Sequence, residues 1–90
     1  IGIVGLGLIG GSLGLDLGSL GHRVLGVSRR EQTCQNAIAR GIVHDASVNL
    51  SLLATTDVIF ICTPIALIIP TVKELIPHLS ANTILTDVGS

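Results

Sequence analysis

Aromatic side chains are almost missing from this chain of 90 residues: Phe60 is the only one, and Trp, Tyr and Met do not occur. Charge is also scarce, at 12%, with a formal net charge of −1 and five basic residues that form no stripe. The electrostatic footprint that nucleic acid demands is therefore absent. Only two cysteines occur, Cys34 and Cys62, with neither a CxxC nor a His/Cys spacing. A metal site and a disulfide framework are both unexpected, and reduced thiols of a cytoplasmic protein are the simple reading. The most apolar run, 58–70, is shorter than the roughly 18 residues that cross a bilayer. Thr63, Pro64 and Pro70 also interrupt it, so no membrane partner is expected.

What remains is Ile, Leu, Val and Ala, spaced by eleven glycines, with hydrophobic residues at 48%. That composition suits strands buried on both faces with helices packed closely over them. Residues 1–4 read as a buried strand, and 8–20 as a helix with apolar residues at Leu8, Ile9, Leu13, Leu17 and Leu20. Gly14 and Gly18 weaken this helix unless it must lie against the sheet, and Gly21 stops it. A second strand is expected at 23–27 and a helix at 31–40 closed by Gly41. Residues 41–49 read as loop with a short extended piece at 42–43, and 50–54 as a helical turn. A strand follows at 57–62, a helix at 66–79 bounded by Pro70 and Pro77, and a last strand at 83–88. The order β-α-β-α-β-α-β without hairpin signals implies an α/β fold with a Rossmann-type doubly wound parallel sheet. The chain opens on a strand and stops at a strand end, so residues 1–90 are expected to be part of such a domain in a longer protein.

The first strand runs into Gly5-Leu6-Gly7-Leu8-Ile9-Gly10, which satisfies G-x-G-x-x-G. Gly5 permits the tight turn, Gly7 lets the backbone approach a pyrophosphate, and Gly10 lets the helix sit close to the strand. With Leu8 and Ile9 these glycines open a helix whose free N–H groups and dipole favour phosphate. The motif alone is weak, but a strand before it and a second strand within about 30 residues supply the confirming context.

The second strand ends Val27-Ser28-Arg29-Arg30, without the acidic residue that accepts the ribose 2′-OH of NAD. A hydroxyl and guanidinium groups would instead bind a 2′-phosphate through charge-assisted hydrogen bonds. NADP is therefore the expected cofactor, with NAD possible through Glu31. A second reading makes Ser28 a helix N-cap with Glu31 completing a capping box, and the two are compatible. Ligands in doubly wound sheets lie beyond the carboxyl ends of the strands. Cys62, Thr63 and Pro64, at the end of the third expected strand, are candidates to border the cofactor, although an ordinary strand-to-helix turn reads nearly as well. Asp87 and Ser90 form a polar pair at the last strand end, where Ser90 also suits an N-cap. His22, His44 and His78 show no paired spacing and read as surface residues.

The stretch Gly5 to Leu13, G-L-G-L-I-G-G-S-L, resembles the opening of the prephenate and arogenate dehydrogenases of tyrosine biosynthesis, and looks most like their cyanobacterial-type arogenate members. Val27-Ser28-Arg29, Cys62-Thr63-Pro64 and Thr86-Asp87-Val88-Gly89-Ser90 fall where that family has corresponding segments. The resemblance implies oxidation of a cyclohexadienol, arogenate or prephenate, with hydride passing to NAD or NADP and loss of CO2. It implies that Ser90, matching the serine of the family's D-x-x-S segment, is catalytic, and that the full-length protein is a cytoplasmic homodimer (plastid, in a plant).

The departures matter equally. The family's catalytic histidine follows the D-x-x-S segment, and none of His22, His44 or His78 matches it. The helical dimerisation domain and the substrate-gripping arginine are absent from these 90 residues, so the fragment is expected to bind cofactor without catalysing alone. β-Hydroxyacid and 6-phosphogluconate-type dehydrogenases usually carry Met in place of Ile9 and Asn-Arg at the second strand end. A non-catalytic nucleotide sensor would typically keep an acidic residue in place of Ser28.

Overall fold

The computed structural model describes residues 1–88. Its five strands are β1 (Gly2–Val4), β2 (Leu25–Val27), β3 (Asp45–Ser47), β4 (Val58–Ile61) and β5 (Ile84–Asp87). They form one sheet in the order β3-β2-β1-β4-β5, and every pairing is parallel. The chain therefore winds outward from β1 to one edge, returns to the other side of β1, and winds outward again. The two directions diverge between β1 and β4, where loops leave a crevice at the carboxyl ends of the strands.

The pleat of the central strand sorts the core into two layers. Ile3 packs with Leu6, Val24, Ala37 and Val43 on the face covered by α1 (Leu8–Ser19) and α2 (Glu31–Ala39). Val4 packs with Leu53, Ile59, Ile61 and Leu75 on the opposite face. That second face is covered by a 3-10 turn, Leu50–Thr55, and by α3 (Ile65–Leu75). Ile3, Leu53, Ile59 and Leu75 are all 0% exposed, and each such side chain stabilises by about 1.5–3 kcal/mol.

Helix α1 comes close to its neighbours because its inner face has little side chain. A Cβ on Gly14 would stand 2.6 Å from the Ile42 carbonyl oxygen, whereas Gly18 has nothing within 4 Å. Gly14 is thus required by packing, and Gly18 carries the helix penalty without a packing reason. The chain leaves α1 through Gly21.

Two expectations about local structure are corrected. The segment 41–49 is not a loop, because Asp45–Ser47 forms β3 and the extended piece lies three residues later than 42–43. Its ladder is anchored by His44, whose N–H donates to the Val24 carbonyl at 2.8 Å. The His44 ring accepts the Val24 N–H at Nδ1, 3.0 Å away. The helix expected at 66–79 ends at Leu75 and gives way to a 3-10 turn, Ile76–His78. Pro77 explains the change, since it has no N–H for the Lys73 carbonyl and its ring clashes there. Pro70, by contrast, is accommodated inside α3.

Candidate functional site

The turn from β1 into α1 is fixed from both sides. Gly5 has φ +96, a conformation that side-chain-bearing residues rarely adopt. Its N–H donates to the Val27 carbonyl at 2.8 Å, tying the loop to the end of β2. A Cβ on Gly5 would meet the Cys62 carbonyl oxygen at 2.9 Å, and one on Gly10 would collide with the Gly5 carbonyl oxygen. Gly7 differs: its φ is −75, and a Cβ there would meet nothing within 4 Å. No part of the described protein requires glycine at position 7. Gly7 is also the N-cap of α1, makes no side-chain cap bond, and precedes a first turn without an acidic residue. The α1 N–H groups are thus available to an anion.

At the end of β2 the Ser28 N–H reaches the Ser47 carbonyl at 3.2 Å. Ser28 Oγ accepts the Arg30 N–H at 3.3 Å. The expected capping box does not form. Helix α2 begins at Glu31, Arg30 is its N-cap, and no side chain caps it. Glu31 is the first helical residue, too early to close a box with Ser28. The Ser28 hydroxyl keeps its proton for another acceptor. Ser28 is half-buried and Arg29 and Arg30 are exposed.

These pieces border one cleft of about 400 Å³. Gly5 and Gly7 line it from β1, Ser28, Arg29 and Arg30 from β2, and Cys62, Thr63 and Pro64 from β4. Leu8, Ile9 and Gly10 are not among its lining residues. Leu8 projects into solvent at 90% exposure, and Gly10 is buried behind Gly5. Burial pushes the Cys62 thiol up from its ordinary range, which makes it a poor nucleophile. Beside it, Thr63 Oγ1 is buried without a hydrogen-bond partner among the described residues. A buried hydroxyl without a partner is costly, and this one lies at the wall of an open cleft.

The cleft also has walls that local sequence reasoning missed. Val48 and Leu50 come from the segment after β3, Thr33 from α2, and Leu67, Thr71 and Glu74 from α3. The spacing of the last three, on one face of a helix, was the available signal. None of His22, His44, His78, Asp16 or Asp57 lines the cleft. Asp87 ends β5, and Ser90 lies outside the described residues. No described helix is long and apolar enough to cross a membrane.

Residues 13–90 match the family model of the prephenate dehydrogenase nucleotide-binding domain. This chain belongs to the prephenate dehydrogenase family. Among solved structures it is similar to arogenate dehydrogenase from Synechocystis, at 56% identity and TM-score 0.97, over 99% of this chain and 32% of that one. It is also similar to prephenate dehydrogenase from Aquifex aeolicus in complex with hydroxyphenyl propionate and NAD+. That match has 25% identity and TM-score 0.91, over 99% of this chain and 32% of that one. The (S)-3-hydroxybutyryl-CoA dehydrogenase PaaH1 of Ralstonia eutropha shares the fold at TM-score 0.83 and 17% identity, over 96% of this chain and 39% of that one. A search of curated proteins finds no match. The chain spans about a third of the length of the first two solved relatives, 32% in each case.

Proposed function

We propose that residues 1–90 are the cofactor-binding part of an NADP-dependent dehydrogenase that oxidises and decarboxylates a cyclohexadienol, arogenate or prephenate. The observation that carries this reading is a cleft in which a glycine loop faces Ser28, Arg29 and Arg30 with no carboxylate at the β2 end. In this reading Gly5 and Gly7 admit the pyrophosphate to the N-terminus of α1. Ser28 and Arg29, with Arg30 beside them, hold the 2′-phosphate. Glu31, the alternative ribose partner, is not among the residues lining the cleft. Two features support a resident dinucleotide: the open space at Gly7, and the buried Thr63 hydroxyl that lacks a partner among the described residues.

The bound nicotinamide would supply the hydride acceptor. Hydride leaves the ring carbon bearing the hydroxyl while the hydroxyl proton passes to a base, and loss of the ring carboxylate as CO2 gives an aromatic product. Ser90 is assigned to the substrate hydroxyl on the family's D-x-x-S pattern, and the base is assigned to sequence beyond residue 90. The full-length protein is proposed to be a cytoplasmic homodimer.

Steady-state kinetics of the full-length protein with both substrates and both cofactors test the reading. NADP is expected to exceed NAD in kcat/KM. Ser28→Asp is expected to lower kcat/KM for NADP by about tenfold or more, the loss of one charge-assisted bond, and to spare NAD. Equal losses for both cofactors would refute the 2′-phosphate assignment.

A further inference from the structure

The part of the cleft beyond Ser28 and Arg29 has a different character from the glycine loop. Val48, Leu50 and Leu67 line it with apolar surface, and Thr71 and Glu74 follow Leu67 along the same face of α3. Thr71 is only 5% exposed. Glu74 is the one acidic residue among the described residues that line the cleft.

A carboxylate in a site for a polyanion is unfavourable unless it accepts a compensating hydrogen bond. The adenosine half of a dinucleotide offers few neutral donors. Its ribose position is directed at Ser28 and Arg29, and within the base itself the exocyclic amino group is the one N–H donor. A flat base between apolar side chains, with its polar edge turned towards a fixed acceptor, is the usual construction of a selective small-molecule pocket.

We propose that Glu74 accepts a hydrogen bond from the adenine amino group and so makes the site selective for an adenine dinucleotide over one with a carbonyl at that position. The inference rests on the nucleotide-binding reading above. Glu74 is a specificity residue here and takes no part in hydride transfer. Because it is exposed on a helix surface, Glu74→Gln keeps shape and fold while exchanging an acceptor for a group that can also donate.

The test is direct binding, by titration calorimetry on the full-length protein, of NADP and of its deamino analogue, in which hypoxanthine replaces adenine. The parent protein is expected to bind NADP about tenfold more tightly than the analogue, the discrimination of one hydrogen bond to a charged acceptor. In Glu74→Gln the ratio is expected to fall close to one, because the amide can donate to the new carbonyl. An unchanged ratio in the variant, with NADP still bound, overturns the assignment of Glu74 and leaves the cofactor reading intact. Failure of the parent protein to bind either dinucleotide overturns both.

Discussion

Gly7 and Gly10 belong to one motif, yet the structure assigns them opposite reasons for being glycine, and alanine at each position separates the two. A methyl group on Gly10 collides with the Gly5 carbonyl oxygen. Gly5 cannot move aside, because its N–H is held by the Val27 carbonyl at 2.8 Å. Forcing the extra atom into that contact costs about 1–3 kcal/mol, at the upper end of that range because the atom it meets is backbone, and Gly10→Ala is expected to be strongly destabilised. A methyl group on Gly7 meets no protein atom within 4 Å, and φ −75 suits alanine. Its effect on stability stays within about 1 kcal/mol, the usual difference between glycine and alanine at an N-cap.

Binding reverses the order of severity. The Gly7 methyl occupies the space through which a pyrophosphate would approach the loop. Losing one hydrogen bond to a charged group costs about 1.5–3 kcal/mol, which weakens the dissociation constant by about 10- to 150-fold. Urea denaturation and fluorescence titration of reduced cofactor, both on the full-length variants, read the two effects separately. Gly7→Ala should keep its unfolding free energy to within about 1 kcal/mol and bind the cofactor at least about tenfold more weakly. If it binds cofactor as tightly as the parent, the glycine loop is a packing device and the phosphate assignment fails.

Two further predictions concern stability alone. Gly18→Ala should raise the unfolding free energy by about 1 kcal/mol, since nothing lies within 4 Å, while Gly14→Ala should lower it because of the Ile42 carbonyl; equal effects would refute the packing argument. His44→Ala should cost about 1–3 kcal/mol by leaving the N–H of Val24, a 0% exposed residue, without its acceptor. An unchanged urea midpoint would show that the imidazole contributes nothing to the β2–β3 ladder.

The legible parts of this molecule are those written locally. Val58–Ile61 is a continuous apolar run, so β4 reads as a central strand without further help. Gly5, Gly7 and Gly10 announce a strand, a turn and a helix within ten residues. β3 was not legible, because Asp-Ala-Ser has no apolar alternation and lies at a sheet edge, where burial does not select the side chains. What makes it a strand is pairing with β2 and the clamp from His44, and a sequence window shows neither. The missed walls of the cleft follow from the same omission. Val48 and Leu50 reach the site only because β3 lies alongside β2, and Leu67, Thr71 and Glu74 only because α3 packs against the 3-10 turn that follows.

Two features of the cleft remain that the protein's own packing does not account for, and their positions are informative. Among the described residues Gly7 has no neighbour that forbids a side chain, and Thr63 Oγ1 is buried with no partner. Folding alone would accept a larger residue at the first and favour an apolar one, such as valine, at the second. They come from loops after different strands, β1 and β4, which are adjacent in the sheet, and both line the same cleft. Independent departures from the folding optimum tend to occur at functional sites. A ligand carrying both a bulky anion for the backbone at Gly7 and an acceptor or donor for the Thr63 hydroxyl would account for the two together, and a phosphoribosyl group has that chemistry. Neither residue needs the other for the fold, so a binding loss on Gly7→Ala and Thr63→Val that is shared by both, without a shared loss of stability, would show that one ligand spans them.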